Sequence, residues 1–500
     1  MNVALHLQQH ASLSPDRLAI QEPSGGSVTF GALQERVAGF ASALSQRGIG
    51  PGDRLLVLVP IGIPLYVALI GTFRAGATAV LVDPSMPRQT LRALMQRTGI
   101  AGLIGSPKAH LLRLRDPEFR GLRLYLSSGF TLLPHRSIDG FRAPAQPPVE
   151  GGAHPALITF TSGTTGLPKA MGRTHGFLEA QHHVLAEHMG MSPDDIDLPT
   201  LPVFLLNSLA AGATCILPDA DLTQVARVDP ARVVRQMREW KVSSTSGSPA
   251  FFEPIARYLE AQDQALPDLR KAFIGGGRVR PELLRLLERR APSARIEVVY
   301  GSTECEPIAT LNCAESLDLM RSGERAGRGA CVGQPVPGLK LALWSPQSTE
   351  ETDCGEVVVT GAHVNKGYLD NPEAEAECKV SLDGEIWHRT GDVATRDEDG
   401  RLWLQGRVGQ AVNGRYPFPV EAAAESAPFI RRAALVSCGD LPTLAVELSD
   451  TPPEGALEAL ERELDVHIRS VDEIPVDARH NTKIDRLALI QKLTEDAERR

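Results

Sequence analysis

Between Arg54 and Arg74 the chain runs LLVLVPIGIPLYVALIGTF, and two prolines decide what that apolar stretch can become. Its length alone would suit a membrane span. Pro60 and Pro64 instead divide it into a strand-like run, RLLVLV, and a helix-like run, PLYVALIGTFRAGA, after which a second strand-like run, TAVLVD, follows. A buried strand–helix–strand unit explains all three pieces. A single span would hold two prolines and leave the third piece without a role.

The same alternation continues through the first two thirds of the chain. AGLIG (101–105), ALITF (156–160), ATCIL (213–217), KAFIGGG (271–277) and ARIEVVY (294–300) read as strands, with PARVVRQMREW and RPELLRLLERR as helices between them. Layered α/β structure is the expected class. After about residue 330 strands and turns take over: LKLALW, GEVVVTG, then VATRDEDGRLWLQGR, with a hairpin turn at Asp399 and Gly400. The last ninety or so residues carry a small α+β pattern of their own, AALVSC, TLAVEL, GALEALERELD and DRLALIQKLTEDAERR. The expected organisation is a large body of α/β subdomains plus a β-rich subdomain over 1–405, a hinge at 406–410 and a small mobile lid over 411–500. Phe141 to Pro155, rich in Pro, Gly and Ala, reads as a surface loop.

Composition narrows the partners. Hydrophobic residues make up 42% and charged residues 23%, as in folded soluble proteins. The formal charge of -9 has the wrong sign for a protein built around a phosphate backbone, so no nucleic-acid partner is expected. Seven cysteines without a CxxC pair, and an N-terminus lacking a basic region followed by an apolar one, point to the reducing cytoplasm. The histidines at 175, 182, 183 and 188 form no HExxH, and Asp194, Asp195 and Asp197 read as a polar turn.

The strongest local signal is TSGTTGLPK, from Thr161 through Ser162, Gly163, Thr164, Thr165 and Gly166 to Lys169, after the strand ALITF and before a helix near Thr174. Hydroxyls, glycines and a cation in one strand-to-helix turn offer backbone N–H groups and charge to a polyphosphate. The GK[ST] ending of a P-loop is missing, which excludes the ordinary P-loop reading. Taken singly, other polar residues have plain explanations: Glu304 as a helix cap, Asp392 in a turn, Lys483 as a solvated charge before a helix.

Their order changes that. TSGTTGLPK resembles the phosphate loop of the adenylate-forming superfamily of acyl-CoA synthetases, adenylation domains and luciferases. YGSTE (300–304), GEVVVTGAHVNKGYLDNPEA (355–374), TGD (390–392), Gly406–Arg407 and NTKIDR (481–486) match its further motifs in sequence. The resemblance implies ATP and Mg²⁺ as cofactors. Tyr300 would stack on adenine beside Gly275, Gly276, Gly301 and Ser302. Thr303 would hold the α-phosphate and Glu304 the metal, Asp392 would take the ribose, Arg407 and Lys169 would face the nucleotide, and Lys483 would stabilise charge during adenylation. Phe204, Leu205, Leu206, Ser248, Phe251 and Cys305 would form the acyl pocket. No GxSxG is present, and Cys305 lacks an evident histidine partner, so no covalent enzyme nucleophile is expected.

Departures from the CoA-forming pattern refine the expectation. GRVGQAVNGRYPFPVE places Gln410 where such relatives carry an Asp and Val412 where they carry a Lys, and the loop is short. DLPTLPVFLLNSL, SGSPAFF, YGSTECEPIA and VDARHNTKIDR are similar to the olefin β-lactone synthetases of bacterial long-chain olefin biosynthesis. That resemblance implies a 3-hydroxy fatty acid activated as acyl-AMP and closed by its own hydroxyl, alongside other lipid-biosynthesis enzymes as peripheral partners. The alternative is an acyl-CoA or acyl-carrier ligase through the same intermediate.

Overall fold

A computed structural model describes residues 1–82, 86–133, 135–138, 141, 147–161, 168–438, 441–476 and 483–498. The apolar stretch after Arg54 folds as strand Arg54–Leu58, helix Ile63–Arg74 and strand Thr78–Leu81, the strands pairing in parallel from Arg54↔Thr78 to Val57↔Leu81. From Leu65 to Arg74 this helix is buried without a break, as a helix inside a layered fold must be. Among the described residues no helix is long and apolar enough to cross a membrane.

This unit sits inside a seven-stranded sheet. Its order is Arg136–Ser137, Leu124–Ser127, Ile100–Gly105, Arg54–Leu58, Thr78–Leu81, Pro155–Thr161 and Lys169–Thr174, parallel except for the last pair. The second and larger sheet changes character across its width. Strands Leu18–Gln21, Thr214–Ile216, Ile196–Pro199, Ser244–Gly247, Lys271–Gly275 and Arg295–Ser302 run parallel, with helices such as Pro230–Glu239 and Pro281–Arg290 between them. From Cys305–Asn312 onward the neighbours are antiparallel: Ala330–Pro335, Leu402–Arg407, Glu385–Arg396, Cys354–Thr360 and Lys340–Trp344. The α/β-to-β change read from the sequence is therefore a change of pairing within one sheet. The hairpin at Asp399–Gly400 lies where expected, with Gly400 at φ +79°.

A separate three-stranded sheet, Ile430–Cys438, Leu441–Leu448 and His467–Ser470, closes the chain with helices Pro417–Glu425, Ala456–Leu464 and Arg486–Glu498. Its apolar residues form two clusters of their own, around Leu435 and around Ile474.

Two local readings are corrected. The helix near Thr174 lies where expected, but the TSGTTGLPK loop does not lead straight into it. Lys169–Thr174 is a strand pairing antiparallel with Pro155–Thr161 from Thr161↔Lys169 to Pro155↔Thr174, and the helix His175–Met189 starts only after it, capped by Thr174. AMGRT lacks the β-branched run that announces a strand, and pairing with a buried neighbour overrides that weak propensity. The second concerns the acidic cluster, which is a polar turn only in part: Asp194 stands exposed in a turn that the Asp195 N–H closes onto the Ser192 carbonyl at 3.1 Å. Asp195 and Asp197 are 1% exposed: Asp197 belongs to the strand Ile196–Pro199 and accepts from Ser208 Oγ at 2.6 Å, while Asp195 binds Lys271 Nζ at 2.8 Å.

Candidate active site

A cleft of about 2740 Å³ runs between the two large sheets and the C-terminal unit. Strand ends of both large sheets open into it, since Val59 and Ser106 line it from one and Gly275, Tyr300 and Thr200 from the other. Lys483, Arg486 and Glu421 reach it from the C-terminal unit. This is the position at which open α/β sheets hold ligands.

One end of the cleft is already tied together. Tyr300, 8% exposed, donates its hydroxyl to Asp392 Oδ2 at 2.8 Å, and Asp392 Oδ1 lies 3.3 Å from Arg407 Nε. Arg407 Nη2 donates to the Thr390 carbonyl at 2.9 Å, and the Asp392 N–H donates to Thr390 Oγ1 at 3.1 Å. Burial raises the Asp392 carboxyl above its ordinary value, against the opposing pull of Arg407, Tyr300 and Lys483. Burial and Asp392 push the Tyr300 phenol well up, so it stays a donor. Gly275 ends its strand against Tyr300's own strand, where a Cβ would stand 2.5 Å from the Val299 carbonyl oxygen. Only glycine fits there. Gly276 follows at φ +82°, and both line the cleft. Gln410 closes the turn after Arg407: its Oε1 accepts from the Arg407 N–H at 3.2 Å, and its own N–H donates to the Arg407 carbonyl at 3.0 Å.

Around Glu304 the surroundings are charged. Its Oε1 accepts from Tyr368 Oη at 2.8 Å. Burial alone would raise its carboxyl, yet His388, the Tyr368 hydrogen bond and Lys379 outweigh it and hold Glu304 below the usual carboxylate range. Burial lowers Lys379 to about 8 and His388 to about 4, against the opposing pull of Glu304. An ionised carboxylate in the cleft wall suits a hard cation that takes its remaining oxygens from phosphates. Among the described residues no group of three or more His, Cys, Asp and Glu could hold a metal unaided. Lys169 also lines the cleft, with Nζ bound to Glu377 Oε2 at 2.9 Å and to Cys378 Sγ at 3.2 Å.

The other residues named from the sequence separate. Thr303, Gly301 and Ser302 line the cleft, and Lys483 stands exposed on it with its charge felt at Asp392. Thr161 ends its strand, while Ser162, Gly163, Thr164, Thr165 and Gly166 lie outside the described residues, as do His480 and Asn481. Of the acyl-pocket residues, Phe204 and Ser248 line the cleft. Leu205, Phe251 and Cys305 do not: at 1%, 0% and 0% exposed they are packed into three different apolar clusters. Leu206 lines a separate small pocket.

Sequence reasoning passed over Arg173 and Glu306, which also line the cleft. Arg173, 4% exposed, donates Nη2 to the Thr303 carbonyl at 3.0 Å, while its Nε and Nη1 have no acceptor among the described residues. Burial lowers it to about 10 despite Glu306 and Glu304, and burial raises Glu306 to about 7 against the pull of Arg173. Both sit on strands where an ordinary reading sees only alternation. Tyr368, inside the GEVVVTG…NPEA stretch, had a motif to announce it but no indication of its bond to Glu304.

The profile of the AMP-binding enzyme family matches residues 7–369. The chain belongs to that family. It is an AMP-forming, adenylate-forming ligase. It is 31% identical to an olefin beta-lactone synthetase of Xanthomonas campestris, over 97% of this chain and 96% of that one, and 30% identical to one of Stenotrophomonas maltophilia, over 100% and 99%. Among solved structures, the anthranilate CoA ligase AuaEII in complex with anthranoyl-AMP superposes with a TM-score of 0.83 at 18% identity, covering 100% of this chain and 98% of that one. The amide bond synthetase McbA from Marinactinospora thermotolerans gives 0.82 at 23%, covering 98% and 99%. These two establish the likeness of fold.

Proposed function

We propose that this enzyme activates a 3-hydroxy fatty acid with ATP and closes the acyl adenylate to a β-lactone, releasing pyrophosphate and then AMP. The observation that carries the reading is the full-length similarity, at 31% and 30%, to two olefin beta-lactone synthetases. A carboxylate cannot expel oxide, so its oxygen attacks the α-phosphorus of ATP and pyrophosphate leaves. The substrate's own hydroxyl then attacks the acyl carbon, and AMP leaves with the bonding pair. Such an intramolecular attack benefits from effective molarities of roughly 10⁵–10⁸ M, which offset part of the ring strain.

In this reading Asp392 accepts from the ribose hydroxyls, Tyr300 and the Gly275–Gly276 turn face the adenine, and Thr303 binds the α-phosphate. Lys483 neutralises charge that builds on the phosphates during adenylation. Glu304 would hold Mg²⁺, which would supply positive charge against the phosphates. The 161–169 loop, a hairpin connection, presents Lys169 to the phosphates once that side chain leaves Glu377 and Cys378. Residues 406–410 act as the hinge on which the unit from 411 to 500 moves, with Gln410 setting its turn.

The test is direct: enzyme, ATP, Mg²⁺ and a 3-hydroxy fatty acid, without CoA, followed by mass spectrometry. Lactone with stoichiometric AMP is expected. A product that forms only on adding CoA would establish the acyl-CoA ligase alternative in its place.

A further inference from the structure

Arg173 and Glu306 are an anomaly for a pocket that receives a hydrocarbon chain. An unpaired ionisable group beside apolar walls is costly, and such groups persist in interiors only with partners. Arg173 has two guanidinium nitrogens, Nε and Nη1, without an acceptor among the described residues. Glu306 is half-buried on the cleft wall, and its backbone carbonyl accepts from Gln181 Nε2 at 3.4 Å. The two charges attract but form no direct salt bridge.

Their place in the cleft is definite. Arg173 donates to the carbonyl of Thr303, and a Cβ on Gly301 would come within 3.3 Å of the Glu306 Cβ, so both adjoin the YGSTE segment. Gln181 lies one helical turn before Leu185, which packs with Met189 and Phe273 in an apolar cluster that also lines the cleft. The pair thus stands between the nucleotide-facing segment and an apolar wall, where the first carbons of an acyl chain would lie.

We infer that Arg173 and Glu306 form the subsite that selects a hydroxyl near the carboxyl end of the acyl substrate, the hydroxyl donating to the Glu306 carboxyl and accepting from the Arg173 guanidinium. A hydroxyl is a neutral group that does both. An ammonium would oppose Arg173 and a second carboxylate would oppose Glu306, so a neutral group that both donates and accepts suits the two together. A plain fatty acid would leave both groups buried and unserved, and sites of that kind reject the analogue that lacks the polar group. This assignment rests on the 3-hydroxy acid reading above.

The experiment compares 3-hydroxy and unsubstituted acids of one chain length by ATP–pyrophosphate exchange, which reads adenylation alone, in the wild type, Glu306→Leu and Glu306→Gln. The wild type should favour the hydroxy acid. E306L should lose about 10- to 100-fold of that preference in kcat/KM, in part by a gain on the plain acid, which damage to the fold cannot produce. E306Q, which keeps an acceptor, should retain most of it. Nucleotide titration of each variant establishes that the site is intact. Unchanged preference in E306L, equal loss on both acids, or a wild type indifferent to the hydroxyl would overturn the subsite. If lactone forms without CoA while the preference ignores Glu306, the subsite fails and the lactone reading stands. If only thioester forms, the reading itself fails.

Discussion

The two ends of the cleft are built on opposite principles. Around Tyr300, Asp392 and Arg407 each polar group has found another: phenol to carboxylate at 2.8 Å, carboxylate to guanidinium at 3.3 Å, guanidinium to carbonyl at 2.9 Å. Elsewhere in the cleft, Ser302 beside Tyr300 included, polar atoms stand alone: two nitrogens of Arg173 and the hydroxyls of Thr159, Ser246, Ser248 and Ser302, all belonging to residues that line the cleft, lack partners among the described residues. One end is organised before its ligand arrives. The other has its donors and acceptors in place, at a standing energetic cost that a matching substrate relieves.

The largest expected effect would sharpen this contrast by separating chemistry from binding. Lys483→Ala should lower acyl-AMP formation about 10²- to 10³-fold in pyrophosphate exchange, while calorimetry still registers ATP binding, because the ribose and adenine contacts are made elsewhere. Loss of ATP binding instead would mean that the organised end depends on Lys483. Next in size, Asp392→Asn should weaken ATP binding by about 10-fold with little change in KM for the acid, the pattern for a charged hydrogen bond lost at one end only. A comparable change in acid KM would break the separation of the two ends.

The smallest effect concerns the junction that both ends share. Arg278, 12% exposed at its side chain, bridges Glu324 at 3.1 Å and Glu425 of the C-terminal unit at 2.8 Å. Burial raises Glu324 to about 7, against the pull of Arg278. A carboxyl raised on folding contributes stability that is fully present below its ordinary value and is lost as pH climbs through about 7. Thermal unfolding of the wild type should therefore decline relative to Glu324→Gln between pH 5 and 8, by about a few degrees, with ATP affinity unaltered. If affinity follows the same pH curve, closure of the C-terminal unit, and not local bonding, organises the nucleotide end.

That Tyr300, Asp392 and Arg407 belong to one site was legible in the sequence because they lie in contiguous runs whose order is informative even when each residue is not. The strand–helix–strand unit at 54–81 was legible for a similar reason: prolines mark its joints. The acyl end was not. Leu205, Phe251 and Cys305 are apolar, and apolarity announces burial without saying against what, so they went into the core. Arg173 and Glu306 lie on strands 133 positions apart in the chain and meet only through the packing of two sheets. Nothing local marks either. The hairpin after the TSGTTGLPK loop was missed because a short strand with a glycine in it has no periodic signal to outweigh the helix that follows.

That hairpin makes the length of the 161–169 connection matter as much as its chemistry. Lys169, Met171 and Arg173 alternate onto one face of the strand, and the register from Thr161↔Lys169 onward fixes which face it is. A slip of one residue turns a strand over. Removing or adding a single loop residue would then risk rotating Lys169 and Arg173 away from the cleft together, whereas a change of two residues could preserve their side. Loop libraries for altering this enzyme should accordingly vary in steps of two.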